Sequence, residues 1–244
     1  MFKLFLGNSI WNLVSQADIV SKIVLLILLF ISILCWTVFL YKLILFSIKK
    51  RQVMTVMKAL NKATNFDELI GVAATYKDTL PGYFLSKNLM FLKNVLVMDH
   101  DSGKAAIGQR EWDLFQQHMD QNIEEILYHE QSYLPVLSTA ATASPLLGLF
   151  GTVWGLVHAF VRISEKQSAD IATVAPGIAE ALITTLAGLA VAVPALIMFN
   201  YCTSQVRKID QLFTMLTDKL ILKIQKHVIK PYDRLRAGRA NGGE

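Results

Sequence analysis

The sequence predicts an all-α membrane protein with three transmembrane helices, two of them extended into a cytoplasmic helical bundle. Three observations carry this. The 244 residues are 53% hydrophobic and only 18% charged, whereas a soluble domain carries about 25% charged residues. Asp, Glu, Lys and Arg are missing from Ile23–Tyr41, from Gln131–Val161 and from Ala181–Val206. Each run reaches the roughly 20 residues that cross a hydrocarbon core about 30 Å thick.

In chain order, residues 1–18 hold Leu6, Ile10, Leu13, Val14 and Ala17 at helical spacing beside Trp11. That pattern predicts a short amphipathic helix on the periplasmic membrane surface. The first span, residues 19–46, begins too deep for a removed leader and lacks a nearby small-x-small cleavage site, so it reads as a signal anchor. Only Lys3 and Lys22 precede its apolar run, whereas Lys42, Lys49, Lys50, Arg51 and Lys58 follow it closely. Because Lys and Arg collect on the cytoplasmic side, the N-terminus is expected outside and residues 47–133 inside. This cytoplasmic helical domain has ten basic and eleven acidic residues. Thr79–Gly82 and Asp99–Lys104 read as its turns. From about Ala105, the stripe Trp112, Phe115, Met119, Ile123 and Ile126 is expected to run without interruption into the second span, residues 134–161.

Residues 162–170 form a short neutral periplasmic loop, with Arg162 and Lys166 against Glu165 and Asp170. The third span, residues 171–206, continues inward through a heptad-like face of Val206, Ile209, Phe213, Leu216 and Leu220. Residues 207–244 form a basic cytoplasmic tail whose nine basic and four acidic residues account for the net charge of +5. Its Lys and Arg lack interleaved aromatic residues, which favours anionic lipid over nucleic acid as their neighbour.

Enzyme signatures are missing from the sequence. It has no Walker loop and no HExxH, its five histidines are scattered, and Cys35 and Cys202 have neither disulfide nor zinc spacing. No cofactor, no metal and no catalytic residue is expected. The string Gly148-Leu-Phe-Gly151-Thr-Val-Trp-Gly155 departs from GxGxxG and lies inside an apolar span. Ala140, Ser144, Gly148 and Thr152 recur every fourth residue, and Gly151, Gly155 and Ala159 form a second small stripe. Small residues of this kind let helices approach closely in lipid. Gly177 and Gly188 on the third span belong to the same expected packing.

Glu180 is the only charged side chain in the 36 residues of Ile171–Val206. A carboxylate at membrane depth is costly and by default marks a functional site. Thr152 falls about 6 Å, and Glu180 about 7 Å, outside the midpoint of its own span at ~1.5 Å per residue, so both can share one level. Thr173, Gly177, Glu180, Thr184, Gly188 and Val191 follow one helical face. A face of small and hydroxyl groups around a single carboxyl suits a proton or ion path. The same residues also suit a packing seam in which Glu180 only orients helices.

Two segments then carry a resemblance: Ser144-Pro-Leu-Leu-Gly-Leu-Phe-Gly-Thr-Val-Trp-Gly155, followed by Val174-Ala-Pro-Gly-Ile-Ala-Glu-Ala-Leu182. Together they resemble the signature of the TolQ/ExbB/MotA proton-channel family, most clearly over residues 143–201 and more loosely over Ala17–Arg51. Val157-His158-Ala159-Phe160 resembles the TolQ branch more than the ExbB branch, and MotA-like stators have a further membrane helix. The resemblance implies a homo-pentamer in a Gram-negative inner membrane, enclosing the single helices of a TolR- or ExbD-like partner. Protons crossing the stator would drive a TolA- or TonB-like protein. One proton crossing 100 mV releases about 2.3 kcal/mol, so several per cycle suffice for a mechanical step.

By the resemblance Glu180 is the pore-lining acid and Thr152 and Thr185 are pore hydroxyls. On an ideal helix Thr185 stands roughly 140° from Glu180 and Thr184 roughly 40°, which makes Thr184 a possible extra pore hydroxyl. Three functions follow in order: a TolQ-type stator of the Tol-Pal envelope system, an ExbB-type stator for TonB-dependent uptake, and a structural membrane scaffold.

Overall fold

The computed structural model describes residues 18–98, 105–166 and 171–229. The expected N-terminal amphipathic helix, the turn at Asp99–Lys104 and the tail beyond residue 229 lie outside these residues. Six helices make up nearly all of the rest: α1 (Ile19–Lys62), α2 (Phe66–Thr75), α3 (Leu80–Val95), α4 (Gln109–Gln131), α5 (Leu134–Lys166) and α6 (Ile171–His227). Three two-residue strands, β1 (Val97–Met98), β2 (Ala105–Ala106) and β3 (Val228–Ile229), pair in the order β1-β2-β3, antiparallel and then parallel. The protein is all-α apart from these short pairings.

Two compact units divide the chain, one of Met1–Leu43 with Tyr133–Thr203 and one of Ile44–Ser132 with Ser204–Glu244. The first holds the apolar lengths of α1, α5 and α6, each long and apolar enough to cross a membrane. Their most apolar windows are only 17%, 22% and 28% buried, so most of their Leu, Ile, Val and Phe side chains face outward. Leu26, Leu29, Phe30, Leu146, Leu149, Val153, Leu182 and Leu186 are all exposed, an arrangement that water would penalise and lipid does not. Pro145 lies inside α5, and Pro176 and Pro194 lie inside α6. Spans accept prolines where neighbouring groups satisfy the freed carbonyls.

The second unit is a conventional apolar core. Val53, Val56 and Leu60 of α1, Leu85 and Leu92 of α3, and Phe115 and Met119 of α4 are buried with Phe213, Leu216, Leu220 and Ile224 of α6. Phe84 meets Phe213 edge to face at 5.4 Å. Inside this core Asn122 donates to Asn88 at 2.9 Å and Asn88 donates to the Phe84 carbonyl at 2.8 Å, so the buried amides are paired as their desolvation requires. Buried Glu130 of α4 is ion-paired with Lys49 of α1.

Three boundaries differ from expectation, the simplest being that α5 runs on to Lys166, into the stretch 162–170 expected as loop. The buried stripe from Trp112 to Ile126 is present, but its helix does not run on into the second span. α4 ends at Gln131, the Ser132 N–H turns back to the His129 carbonyl, and Tyr133 takes φ 68°, a conformation no continuing helix allows. The two apolar helices that continue unbroken are α1 and α6. The Thr79–Gly82 turn is also displaced: the turn is Tyr76–Thr79, and Leu80-Pro81-Gly82 is already the first turn of α3, with Thr79 as its cap. Proline suits that first turn because its missing N–H would have no partner there.

Candidate functional site

The α5–α6 contact begins with residues that lack side chains. A Cβ placed on Gly188 would stand 2.5 Å from the Ser144 carbonyl oxygen, and one on Gly148 would stand 3.0 Å from the Thr184 carbonyl oxygen. A Cβ on Gly155 would meet Ala181 at 2.9 Å, and one on Gly177 would meet Ala159 at 3.3 Å. The two helices thus touch backbone to backbone, which brings main-chain carbonyls of α5 within reach of hydroxyls on α6.

Those hydroxyls converge there. Thr184 is fully buried, sits over Gly151 and donates to the Ala181 carbonyl at 2.7 Å. Thr185 is half-buried and donates to the Gly148 carbonyl at 3.1 Å, and its oxygen lies 3.4 Å from the Thr152 hydroxyl. Thr152 donates to the Leu149 carbonyl at 2.7 Å. Thr152, Thr184, Thr185 and Gly148 therefore share one place on the seam. Thr184 occupies the inner side of α6, and Thr185 the side nearer Thr152.

Glu180 sits one turn, or ~6 Å of helix rise, before Thr184. Only 6% of it is exposed. Its Oε2 accepts the main-chain N–H of Asp18 at 3.3 Å, and Asp18 Oδ2 accepts the indole N–H of Trp154 at 2.9 Å. Among the described residues no hydrogen bond joins Glu180 to the three threonines. The carboxyl is held instead by the start of α1, while Trp154 of α5 holds Asp18. In sequence Asp18 closes the segment 1–18 and Trp154 lies in the glycine string, 136 positions apart. The local sign of the contact is an Asp placed immediately before an apolar helix.

Two further hydroxyls, those of Ser21 on α1 and Ser144 on α5, are buried without a hydrogen-bond partner among the described residues. A groove of about 360 Å³ between α1 and α5, lined by Ile31, Leu34, Val136 and Ala140 among others, has no charged side chain and does not include Glu180. No three His, Cys, Asp or Glu side chains among the described residues converge to hold a metal.

Three apolar helices, two of them closed on each other by glycines, with a buried carboxyl on the third span and a set of hydroxyls at the seam, define an integral membrane protein with a polar site among its spans. Residues 78–215 match the MotA/TolQ/ExbB proton channel family, and the chain belongs to that family. It is 31% identical over 204 residues to the biopolymer transport protein ExbB of Salmonella typhimurium, covering 81% of this chain and 79% of that one. It is 30% identical over 204 residues to the Tol-Pal system protein TolQ of Haemophilus influenzae, covering 82% and 86%. The TolQ of Pseudomonas aeruginosa is 32% identical over 212 residues, covering 79% and 82%.

Proposed function

We propose that this chain is the stator subunit of a proton-motive-force-driven motor of the Tol-Pal type, placed in a Gram-negative inner membrane. Its N-terminus is periplasmic and its C-terminus cytoplasmic, in keeping with the basic residues that follow the first and third spans. The observation that carries the reading is Glu180, a buried carboxyl of the third span one turn before Thr184, whose hydroxyl shares the α5–α6 seam with those of Thr152 and Thr185. These four residues form the proton pathway, and Gly148, Gly151, Gly155, Gly177 and Gly188 hold the two helices close enough to make it.

One copy lacks a complete path, since its spans offer one carboxyl and an apolar exterior. Several copies, a homo-pentamer as in the family, enclose the helices of a TolR-like partner and energise a TolA-like protein for envelope integrity. No enzyme chemistry is required. The second reading, an ExbB-type stator serving TonB-dependent uptake, is favoured by the equal likeness to ExbB. Co-purification with a TolR-like rather than an ExbD-like protein separates the two.

Glu180→Ala tests the channel itself. Proton flux in vesicles holding the complete complex, and the motor-dependent envelope phenotype, are both expected to be lost. A correctly assembled Glu180→Ala complex that still conducts and still supports the envelope would leave the scaffold reading in its place.

A further inference from the structure

We propose that Asp18 and Trp154 form a latch that positions Glu180, holding its ionised carboxyl against the start of α1 and releasing it when it takes up a proton. This deepens the stator reading and rests on it for its role in the cycle. The geometry is a chain of three groups, from α5, from the residue before α1 and from α6. The indole N–H of Trp154 fixes the Asp18 carboxylate at 2.9 Å, and the main-chain N–H of Asp18 meets Glu180 Oε2 at 3.3 Å. Asp18 precedes α1 directly, so the N–H offered to Glu180 stands at the positive end of that helix.

The two carboxyls have different surroundings and therefore different roles. The Trp154 N–H, followed by the N–H groups of Ile19 and Val20 and by nearby His158, holds the Asp18 carboxyl below its ordinary range despite partial burial. Asp18 stays ionised and acts as a fixed anchor. Among the described residues Glu180 accepts the Asp18 N–H, a bond that is charge-assisted while Glu180 is ionised and about half as strong once it is neutral. Proton uptake thus loosens the contact that restrains the side chain. Among the described residues His158 of α5 acts on Asp18 through its charge, and Lys22 and Arg162 stand one turn further along their helices. Neither Asp18 nor Trp154 carries the proton; both are positioning residues.

The test uses the assembled complex in lipid nanodiscs and follows labelling of Glu180 by a hydrophobic carbodiimide, which reacts with a protonated carboxyl, as a function of pH. Trp154→Phe keeps the ring and removes the N–H. Trp154→Phe is expected to raise labelling near neutral pH about three-fold or more, because the Asp18 carboxylate that sets its main-chain N–H against Glu180 is no longer fixed. Substitutions of Asp18 itself keep that main-chain N–H and remove a neighbouring negative charge, so they do not isolate the latch. Labelling of Trp154→Phe like that of the parent, in a complex of parent size, would overturn the latch. If Trp154→Phe fails to assemble, Trp154→Leu, which also lacks the N–H, decides in the same way. Proton flux through Glu180→Gln is measured alongside: parent-like flux there overturns the stator reading, while labelling still decides whether the carboxyl is latched.

Discussion

Replacing Gly188 by alanine probes the α5–α6 seam where backbone most closely meets backbone. The added Cβ would stand 2.5 Å from the Ser144 carbonyl oxygen, 3.1 Å from Gly148 Cα and 3.2 Å from Gly148 N, all of them backbone atoms that no rotamer change can move. Restoring ordinary contact requires the helices to separate locally by close to ~0.9 Å, and a gap of 0.5–1 Å forfeits about a quarter to a half of each dispersion contact along the seam. Overpacking of this kind costs about 1–3 kcal/mol, offset by up to ~1 kcal/mol because alanine favours helix over glycine. With the full offset the net expectation is a loss of up to about 2 kcal/mol. The same opening stretches the bonds from Thr185 to Gly148 and Thr152, so proton flux should fall with stability. Reversible unfolding in mixed micelles, read by circular dichroism, measures the first effect and vesicle flux the second. Gly71→Ala is the control: its Cβ meets nothing within 4 Å on exposed α2, and it should be neutral or stabilising. A Gly188→Ala protein as stable and conductive as the parent would refute the close-contact argument.

Two further outcomes concern the second unit. Lys49→Met removes the cation paired with Glu130, whose side chain is 2% exposed; a loss of about 3 kcal/mol is expected in denaturant titration. Lys49→Met with Glu130→Met should recover most of it, because both members of the pair are then replaced by apolar side chains. Burial, reinforced by Lys87, holds the His118 imidazole below its ordinary 6.5. The unfolded chain then takes up a proton that the folded state resists, so this contribution is present above pH 6.5 and is lost as pH falls below it. Melting temperatures between pH 8 and 5.5 should decline, and His118→Gln should flatten that decline; an equally steep fall in the variant would exclude His118 as its source.

Spans are the most legible feature of such a chain, because twenty uncharged residues have few other solutions. Glu180 stood out for the same reason, as a break in a long uncharged run. The small residues of α5 and α6 were visible by spacing, yet which hydroxyl faces which helix depends on how two surfaces mesh. Thr184 turned to the Gly151 contact and Thr185 toward Thr152, a distinction an ideal helical wheel expresses only as angles. Tyr133 was harder still, since a bulky residue at positive φ has no sequence signal and interrupts an otherwise continuous apolar stripe. The bond from Asp18 to Glu180 spans 162 positions. Local pattern supplies the capping Asp and the buried acid separately and does not supply their meeting.

The glycine seam also bears on how the protein comes together during synthesis. Its contacts join residues as near in the chain as Gly155 and Ala181, so little loop entropy opposes their meeting. Glycine surrenders no rotamers when it packs. α5 and α6 are therefore suited to enter the bilayer as a preformed hairpin. α1, translated first, must wait for that hairpin before Asp18 finds its partner. The acid of the third span thus acquires the Asp18 N–H only once all three spans of the subunit are together, and a subunit with an incomplete bundle carries a carboxyl without that restraint.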